Sequence, residues 1–449
     1  MWVERLSIKN IRSFERQIIS FTQDRNEPFR WVTLLGENGG GKSTLLQALG
    51  LLLAGPEGAQ TLLPRPVGWV RDESVAGELD VRIHQGNKDP GRFGDKKVSR
   101  SFGYGLWVTG REHLVIRKQV YTEPSLVEDT SRILTWLREN AFSSRGPGWF
   151  AAGYGAFRRL TRSSQLIVPS LEPQARYTNF LTQFNEDEPL ATFERWMVYL
   201  DYVIAKGERG AAHAQRQWTL GIEAINRILP TGTRFDSVSS EGRILFNVQG
   251  RKVPTVSMSD GYRSVLALAG DLVWRLIQAF PKSENPLHEE GVVLIDELDI
   301  HLHPRWQRHI ANWLRAQFPK LQFFVATHSP FVAAGAGQDA LTLRLALENG
   351  VTTVEKVETP AALSVDRILQ SEAFGQLSPF SPETEERIER YDTLVRKGQK
   401  QSPEEARELA TLRGFMQRAR PMGGPPEPGS LEAKLDAYIE KTLQRENQG

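Results

Sequence analysis

The residues best equipped for chemistry are Gly36-Glu37-Asn38-Gly39-Gly40-Gly41-Lys42-Ser43-Thr44. The spacing G-x-x-x-x-G-K-[ST] lets successive backbone N–H groups turn inward around phosphate oxygens, and the helix that follows adds the partial positive charge of its N-terminus. In that pattern Lys42 reaches the β- and γ-phosphates and Ser43 ligates Mg²⁺, with Gly36, Asn38, Gly39, Gly40, Gly41 and Thr44 in the same nucleotide-binding set. A second group stands at Asp296-Glu297, behind the apolar run Gly291-Val292-Val293-Leu294-Ile295. Such a run describes a central parallel strand that delivers carboxylates to the C-terminal edge of a sheet, where open α/β folds bind ligands. Alone, an apolar strand ending in two acids says little; beside a phosphate loop, Asp296 is placed to hold Mg²⁺ through water and Glu297 to polarise an attacking water.

Two further groups are less specific. Ser259-Asp260-Gly261 opens an apolar helix, Val265 to Phe280, and a helix start presents free N–H groups to an anion. An ordinary Ser N-cap explains the same residues. His301, His303 and His328 have a His-x-His spacing that invites a metal, but without cysteine, and with carboxylates better used on Mg²⁺, a γ-phosphate contact suits His328 better. Arg158, Arg159 and Arg162 fit a solvated helix face.

Those groups need strands and helices to position them. Residues 2 to 22 alternate as a hairpin feeding a buried strand at 31 to 35, and the helix after the glycine loop is expected to end near Gly55. From Gly77 to Tyr121 the period is near two, which predicts a small antiparallel sheet, with a polar loop between Gln85 and Arg100. Residues 126 to 140 and 188 to 230 carry helical spacing, the latter a short insertion without sustained heptads. Phe235 to Val238 and Arg243 to Val248 read as a strand pair. A helix from about Arg305 to Phe318 leads to a strand, Leu321 to Ala326, that ends in Thr327-His328-Ser329-Pro330. After Gly350 the chain is highly charged, with Ser-Pro helix starts at 381 and 402, a linker from Pro421 to Gly429, and a final helix striped by Leu431, Leu435, Ile439 and Leu443. The expected organisation is an N-terminal lobe at 1–165, a helical insertion with connecting strands at 166–250, a second lobe at 251–350 and a charged helical region at 351–449 that could dock a partner.

Composition limits the remaining choices. The chain has 449 residues, 40% of them hydrophobic, with 56 basic and 54 acidic residues for a net charge of +2. Near neutrality gives no global argument for nucleic-acid binding, so any DNA contact must be local. No cysteine is present, which excludes disulfides, thiol catalysis and zinc ribbons. The N-terminus lacks an h-region and no apolar run nears the roughly 18 residues of a membrane span, so a cytoplasmic location without membrane contact is expected.

The order of glycine loop, Ser259-Asp260-Gly261, Asp296-Glu297 and His328 resembles the heads of ABC-type ATPases, in the SMC and RecF-like branch. Asn10-Ile11-Arg12-Ser13-Phe14, GENGGGKST, DELDIHLHP and ATHSP are all similar to that branch. The resemblance implies an α/β P-loop NTPase of ABC-ATPase head type, carrying a small antiparallel β subdomain, a short helical insertion and a C-terminal helical hairpin. It also implies ATP and Mg²⁺ as cofactors and two heads that sandwich two ATP molecules. Ser259 and Gly261 would then touch the γ-phosphate held by the other copy, Glu297 would be the catalytic base, His328 the switch histidine, and Asp299 to His303 the loop at the seam. Arg12 would lie near the adenosine. The signature departs from the family norm, reading Met-Ser-Asp-Gly-Tyr for Leu-Ser-Gly-Gly-Gln, and Leu298 stands where proline is usual.

The short insertion and charged C-terminal region further resemble the stand-alone ATPases of bacterial anti-phage systems such as Septu and related retron systems. That implies an ATP-driven head that forms a nucleotide-bridged dimer or higher oligomer and regulates a separately encoded nuclease or toxin. Two rivals stand beside it: a RecF-like repair ATPase driven by DNA, and an ATP-locked scaffold that holds a nuclease without hydrolysis.

Overall fold

Alternation along short apolar strands decides which layer of the molecule each side chain joins. The computed structural model describes residues 1–23, 27–86, 89, 100–110, 114–116, 118–129, 132–143, 148–156, 158, 175–185, 192–207, 210–361, 363, 365–375, 378 and 380–418. Contacts divide the chain into two units, Met1–Leu363 and Ser364–Gly449.

The first unit begins with β1 (Trp2–Ile11), β2 (Phe14–Ser20), β3 (Trp31–Gly36) and α1 (Lys42–Leu62), followed by β4 (Gly77–His84), β5 (Ser101–Val108), β6 (Leu114–Ile116), β7 (Gln119–Tyr121) and β8 (Leu126–Glu128). Next come α2 (Arg132–Asn140), β9 (Phe150–Tyr154), α3 (Leu181–Phe184), α4 (Thr192–Lys206), α5 (Ala211–Ile228), β10 (Thr233–Val238), β11 (Ile244–Val248) and β12 (Arg251–Pro254). It closes with α6 (Asp260–Ala279), β13 (Gly291–Ile295), α7 (Pro304–Gln317), β14 (Leu321–Ala326), α8 (Pro330–Gly335), β15 (Leu341–Glu348) and β16 (Val351–Val357).

The central sheet has the order β16-β15-β3-β14-β13-β9, and every pairing in it is parallel except β15 with β16. Both faces of its inner strands are covered, so β9, β13 and β14 are almost entirely apolar, as buried parallel strands require, while the edge strand β16 carries exposed charges. Val292, Leu294, Ala151, Phe324 and Ala326 face one core with Leu45, Leu46 and Leu49 of α1, while Val293, Ile295, Ala152, Phe323 and Val325 face the other with α6 and α7. On the first side α1 lies between this sheet and an antiparallel one, β2-β1-β4-β5-β8, whose Leu6, Ile8, Leu79, Val81 and Leu106 complete the same core. Burying each such leucine contributes about 1.5–3 kcal/mol, which fixes α1 and the loop at its N-terminus against two sheets at once. On the far side the insertion helices α4 and α5 share a core with α6 through Trp196, Met197, Ile225 and Leu272.

Several expectations need correction. The helix after the glycine loop does not end at Gly55: that residue leaves helical geometry (φ 81°, ψ 169°) beside Pro56, and the helix resumes to Leu62. Proline removes a donor and a glycine with positive φ tolerates the break, so the sequence signal marked a kink. Leu126 belongs to β8 and pairs with Val108 in the antiparallel sheet, so the helical stretch starts only at Arg132. Residues 235–248 are two strands of three, since β12 pairs with β11. The boundary expected at 350 falls in the tight turn between β15 and β16, whose second strand belongs to the central sheet. The boundary expected at 165, Arg159, Arg162, most of the 85–100 loop, the 421–429 linker and the final striped helix lie outside the described residues.

The second unit holds α9 (Val365–Leu369), α10 (Pro382–Lys397) and α11 (Pro403–Arg418). Ser381 caps α10 through Thr384 N, and Ser402 and Glu405 cap α11 reciprocally. Arg390 forks onto Glu408 and Lys397 meets Glu405, ion pairs that are exposed and contribute little each. The helical hairpin expected here is present.

Candidate nucleotide site

The parallel strands β3, β13, β14 and β9 end side by side, and the loops at these ends carry the candidate chemistry. At the end of β3, Gly36 (φ 146°) passes so close to β15 that a Cβ there would stand 2.1 Å from Leu345 O. Gly41 (φ 92°) precedes α1, and a Cβ on it would meet the Phe14 ring at 2.9 Å. Glycine is demanded at both by close approach and by backbone angle. The loop encloses Lys42, whose ammonium is buried and donates to Gly36 O and Glu37 O at 2.9 Å each. Two of its three N–H groups are thus used, leaving one for an anion. Burial lowers the Lys42 pKa, while Asp296, Glu297 and Asp299 pull it back up.

β13 delivers the acids as expected. The Asp296 carboxylate lies beside Ser43, whose hydroxyl acts to lower its pKa, and its Oδ1 is buried without a hydrogen-bond partner. Burial raises the Asp296 pKa, against that hydroxyl and the charges of Arg158 and Lys42. A buried acceptor left unpaired costs about 1–3 kcal/mol, so it marks a place for a bound water or cation. A Mg²⁺–nucleotide fits these residues: a hydroxyl beside a carboxylate, one oxygen of the latter buried and unpaired, near a caged ammonium. Glu297, the next residue, adopts φ 46°, the left-handed region that costs a non-glycine residue about 1–2 kcal/mol.

The loop after β13 is tied to the end of β14. Asp299 Oδ1 accepts from Thr327 Oγ1 at 2.5 Å and from His328 N at 3.3 Å. Gln307 of α7 donates to Asp299 O and Leu302 O and accepts from Ser329 Oγ at 2.8 Å, so a single amide side chain pins both loops. The His328 ring stays open to solvent, and local desolvation and Lys42 lower its pKa from the usual value near 6.5, favouring the neutral ring. His303 caps α7, its Nδ1 accepting from Arg305 N.

The other expected residues are placed as follows. Arg12 (φ 47°) donates to Thr44 Oγ1 and Gln47 Oε1 on α1 at 3.2 Å each and lies over the Trp69 ring, 4.4 Å from its centroid. Its turn is bound beneath the glycine loop through Ser13, which meets Thr352 of β16. Ser259 occupies the N-cap of α6 but forms no side-chain capping bond and is exposed, as is Asp260. Gly261 abuts the loop after β13, where a Cβ would lie 2.6 Å from His301 O.

Sequence patterns missed Arg158. It is 3% exposed and donates to Gly155 O, Asp296 O and Glu297 O at 2.6–2.7 Å, so the solvated-face reading is wrong for it. The available signal was its place just after Gly153-Tyr154-Gly155, a strand end like those of β3 and β13. Asp299 and Gln307, which knit the loops, carried no signal of their own.

Residues 32–334, which include the glycine loop, Arg158 and the loops after β13 and β14, match the family described as "AAA domain, putative AbiEii toxin, Type IV TA system". The chain belongs to this AAA-domain family. Among curated relatives, this AAA-family chain is 26% identical over 408 residues to the Septu protein PtuA of Bacillus mycoides, covering 88% of the chain and 47% of that protein. It is 34% identical over 189 residues to the Retron Ec83 probable ATPase of Escherichia coli, covering 42% of the chain and 32% of the relative. It is 32% identical over 151 residues to the Retron Vc95 probable ATPase of Vibrio cholerae, covering 33% and 29%. The chain thus spans less than half the length of these curated relatives. Among solved structures, an SMC head bound to the C-winged helix domain of ScpA superposes with a TM-score of 0.50 at 15% identity, over 81% of this chain and 99% of that one. The fold is therefore that of an ABC-type ATPase head. No helix among the described residues is long and apolar enough to cross a membrane.

Proposed function

We propose that this AAA-family chain is an ATP-hydrolysing head that dimerises around nucleotide and regulates a separately encoded nuclease or toxin in bacterial anti-phage defence. The observation that carries the reading is the meeting, at one sheet edge, of the caged Lys42, the buried, unpaired Oδ1 of Asp296 beside Ser43, and the Asp299–His328 loop. Lys42 would hold the β/γ-phosphates as a point cation and the glycine-loop N–H groups would orient them. Ser43 and Asp296 would hold Mg²⁺, which when bound offsets charge on the phosphate oxygens. Glu297 would accept a proton from the attacking water, and His328, kept neutral, would donate a hydrogen bond to the γ-phosphate. Ser259 and Gly261 would complete the site of a second copy. The defence setting is supported by the names of the Septu and retron relatives.

Phosphate release by the purified chain, with and without Mg²⁺ and DNA, tests the enzymatic part. We expect Mg²⁺-dependent turnover that DNA does not require. Turnover seen only with DNA would favour the repair reading, and ATP retained without turnover the scaffold. Plaque counts in a host carrying the gene with its chromosomal neighbours test the biological part: Glu297→Gln should remove protection.

A further inference from the structure

We propose that Arg158 is the positioning residue of the acidic turn, a clamp that acts through backbone carbonyls to aim Asp296 and Glu297 at the nucleotide. The proposal rests on the reading of Glu297 as catalytic base. β13 stops at Ile295, and the turn beyond it is held by Asp296 N donating to Tyr154 O, Leu298 N to Ala326 O and Ile300 N to Glu297 O, with Asp299 and Gln307 tying its later part. The carbonyls of Asp296 and Glu297 point into protein, and the Arg158 guanidinium forks onto both, at 2.6 Å from one nitrogen and 2.7 Å from the other. The nitrogen that reaches Asp296 O also reaches Gly155 O at 2.7 Å, so the fork is anchored to the end of the neighbouring strand. Glu297 sits at φ 46° in this turn, and a conformation of that kind persists only where its surroundings over-determine it.

Charge adds a second effect. Asp296, Glu297 and Asp299 crowd one loop, and Arg158 is a buried cation facing them from the segment after β9, with Lys42 facing them from α1. Burial brings the Arg158 pKa down to about 10, still well above neutrality, so the fork keeps its charge at working pH. A planar five-donor group holds its N–H groups in a fixed fork, whereas the freely rotating ammonium of a lysine on a shorter stem would not hold the two carbonyls and Gly155 O in that fixed geometry.

Arg158→Met and Arg158→Lys separate positioning from general support of the fold. In hydrogen exchange without nucleotide, residues 296–302 should exchange at least about tenfold faster in Arg158→Met, while 31–49 and 321–326 keep wild-type protection. Arg158→Lys should fall between, and if the Met variant does not fold it is read alone, with about threefold faster exchange expected. In turnover, Arg158→Met should lower kcat at least about 30-fold with KM for ATP within about threefold, because Lys42 and the glycine loop are untouched. Unchanged exchange at 296–302, or exchange raised equally in all three segments, would overturn the clamp. A wild-type chain without turnover would defeat the catalytic reading, and the exchange pattern would still decide the clamp.

Discussion

The glycine-loop end of the site and the Ser259 end are built on opposite principles. Around Lys42 the chain closes on itself: two glycines leave no room for a Cβ, which would stand 2.1 Å from Leu345 O at one and 2.9 Å from the Phe14 ring at the other, the ammonium is caged, and Ser43 lies beside Asp296. At Ser259 the helix opens outward, with an exposed serine that caps nothing and an exposed aspartate beside it. An exposed N-cap hydroxyl is free to bond water or an anion carried by another molecule. The contrast fits a site divided between two chains, in which one copy supplies a rigid phosphate cradle and the other an open helix start.

The contrast can be broken at its rigid side first. Lys42→Ala should abolish ATP binding, because a caged cation is lost while the glycine turns remain; micromolar affinity retained in calorimetry would remove the loop from the account. Glu297→Gln should preserve ATP binding and slow turnover by at least about 10²-fold, the range for a lost general base. Parent-rate turnover in that variant would hand the water to another group. Asp296→Asn gives a smaller effect of opposite sign. A carboxyl whose pKa is raised on folding binds more protons folded than unfolded, so its contribution falls as pH rises from the unfolded value near 4 through the folded one, and at neutral pH the buried charge is a net cost. Without Mg²⁺ or nucleotide, Asp296→Asn should therefore raise Tm by about 1–3 °C at pH 7, and by less at pH 4. A lower Tm at pH 7 would show that Ser43 and Arg158 compensate the charge fully.

Much of this was legible in the sequence because it is local. The glycine loop, the apolar run into Asp296-Glu297 and the strand into Thr327-His328 each carry their own pattern, and their shared sheet edge follows from parallel pairing. What escaped depends on partners far along the chain. Arg158 reaches carbonyls at 296 and 297, 138 and 139 residues away, and nothing in its neighbours distinguishes a buried fork from a solvated charge. Gly55-Pro56 looked like an end because breakers are read locally, whereas the leucines before it and Ala59 after it are held by one core. Leu126 fitted a helical stripe until Val108 claimed it for a sheet edge, an override of local propensity by tertiary pairing.

The divided site is tested most directly by light scattering on two proteins, Glu297→Gln and Glu297→Gln with Ser259→Arg, each with and without ATP. Nucleotide that bridges two chains links binding to association, and slowing hydrolysis should hold the bridged form. We predict that Glu297→Gln gains mass on adding ATP, and that the double variant binds ATP at its intact glycine loop yet keeps its nucleotide-free mass. Equal masses for the two proteins in the presence of ATP would contradict a site shared between copies.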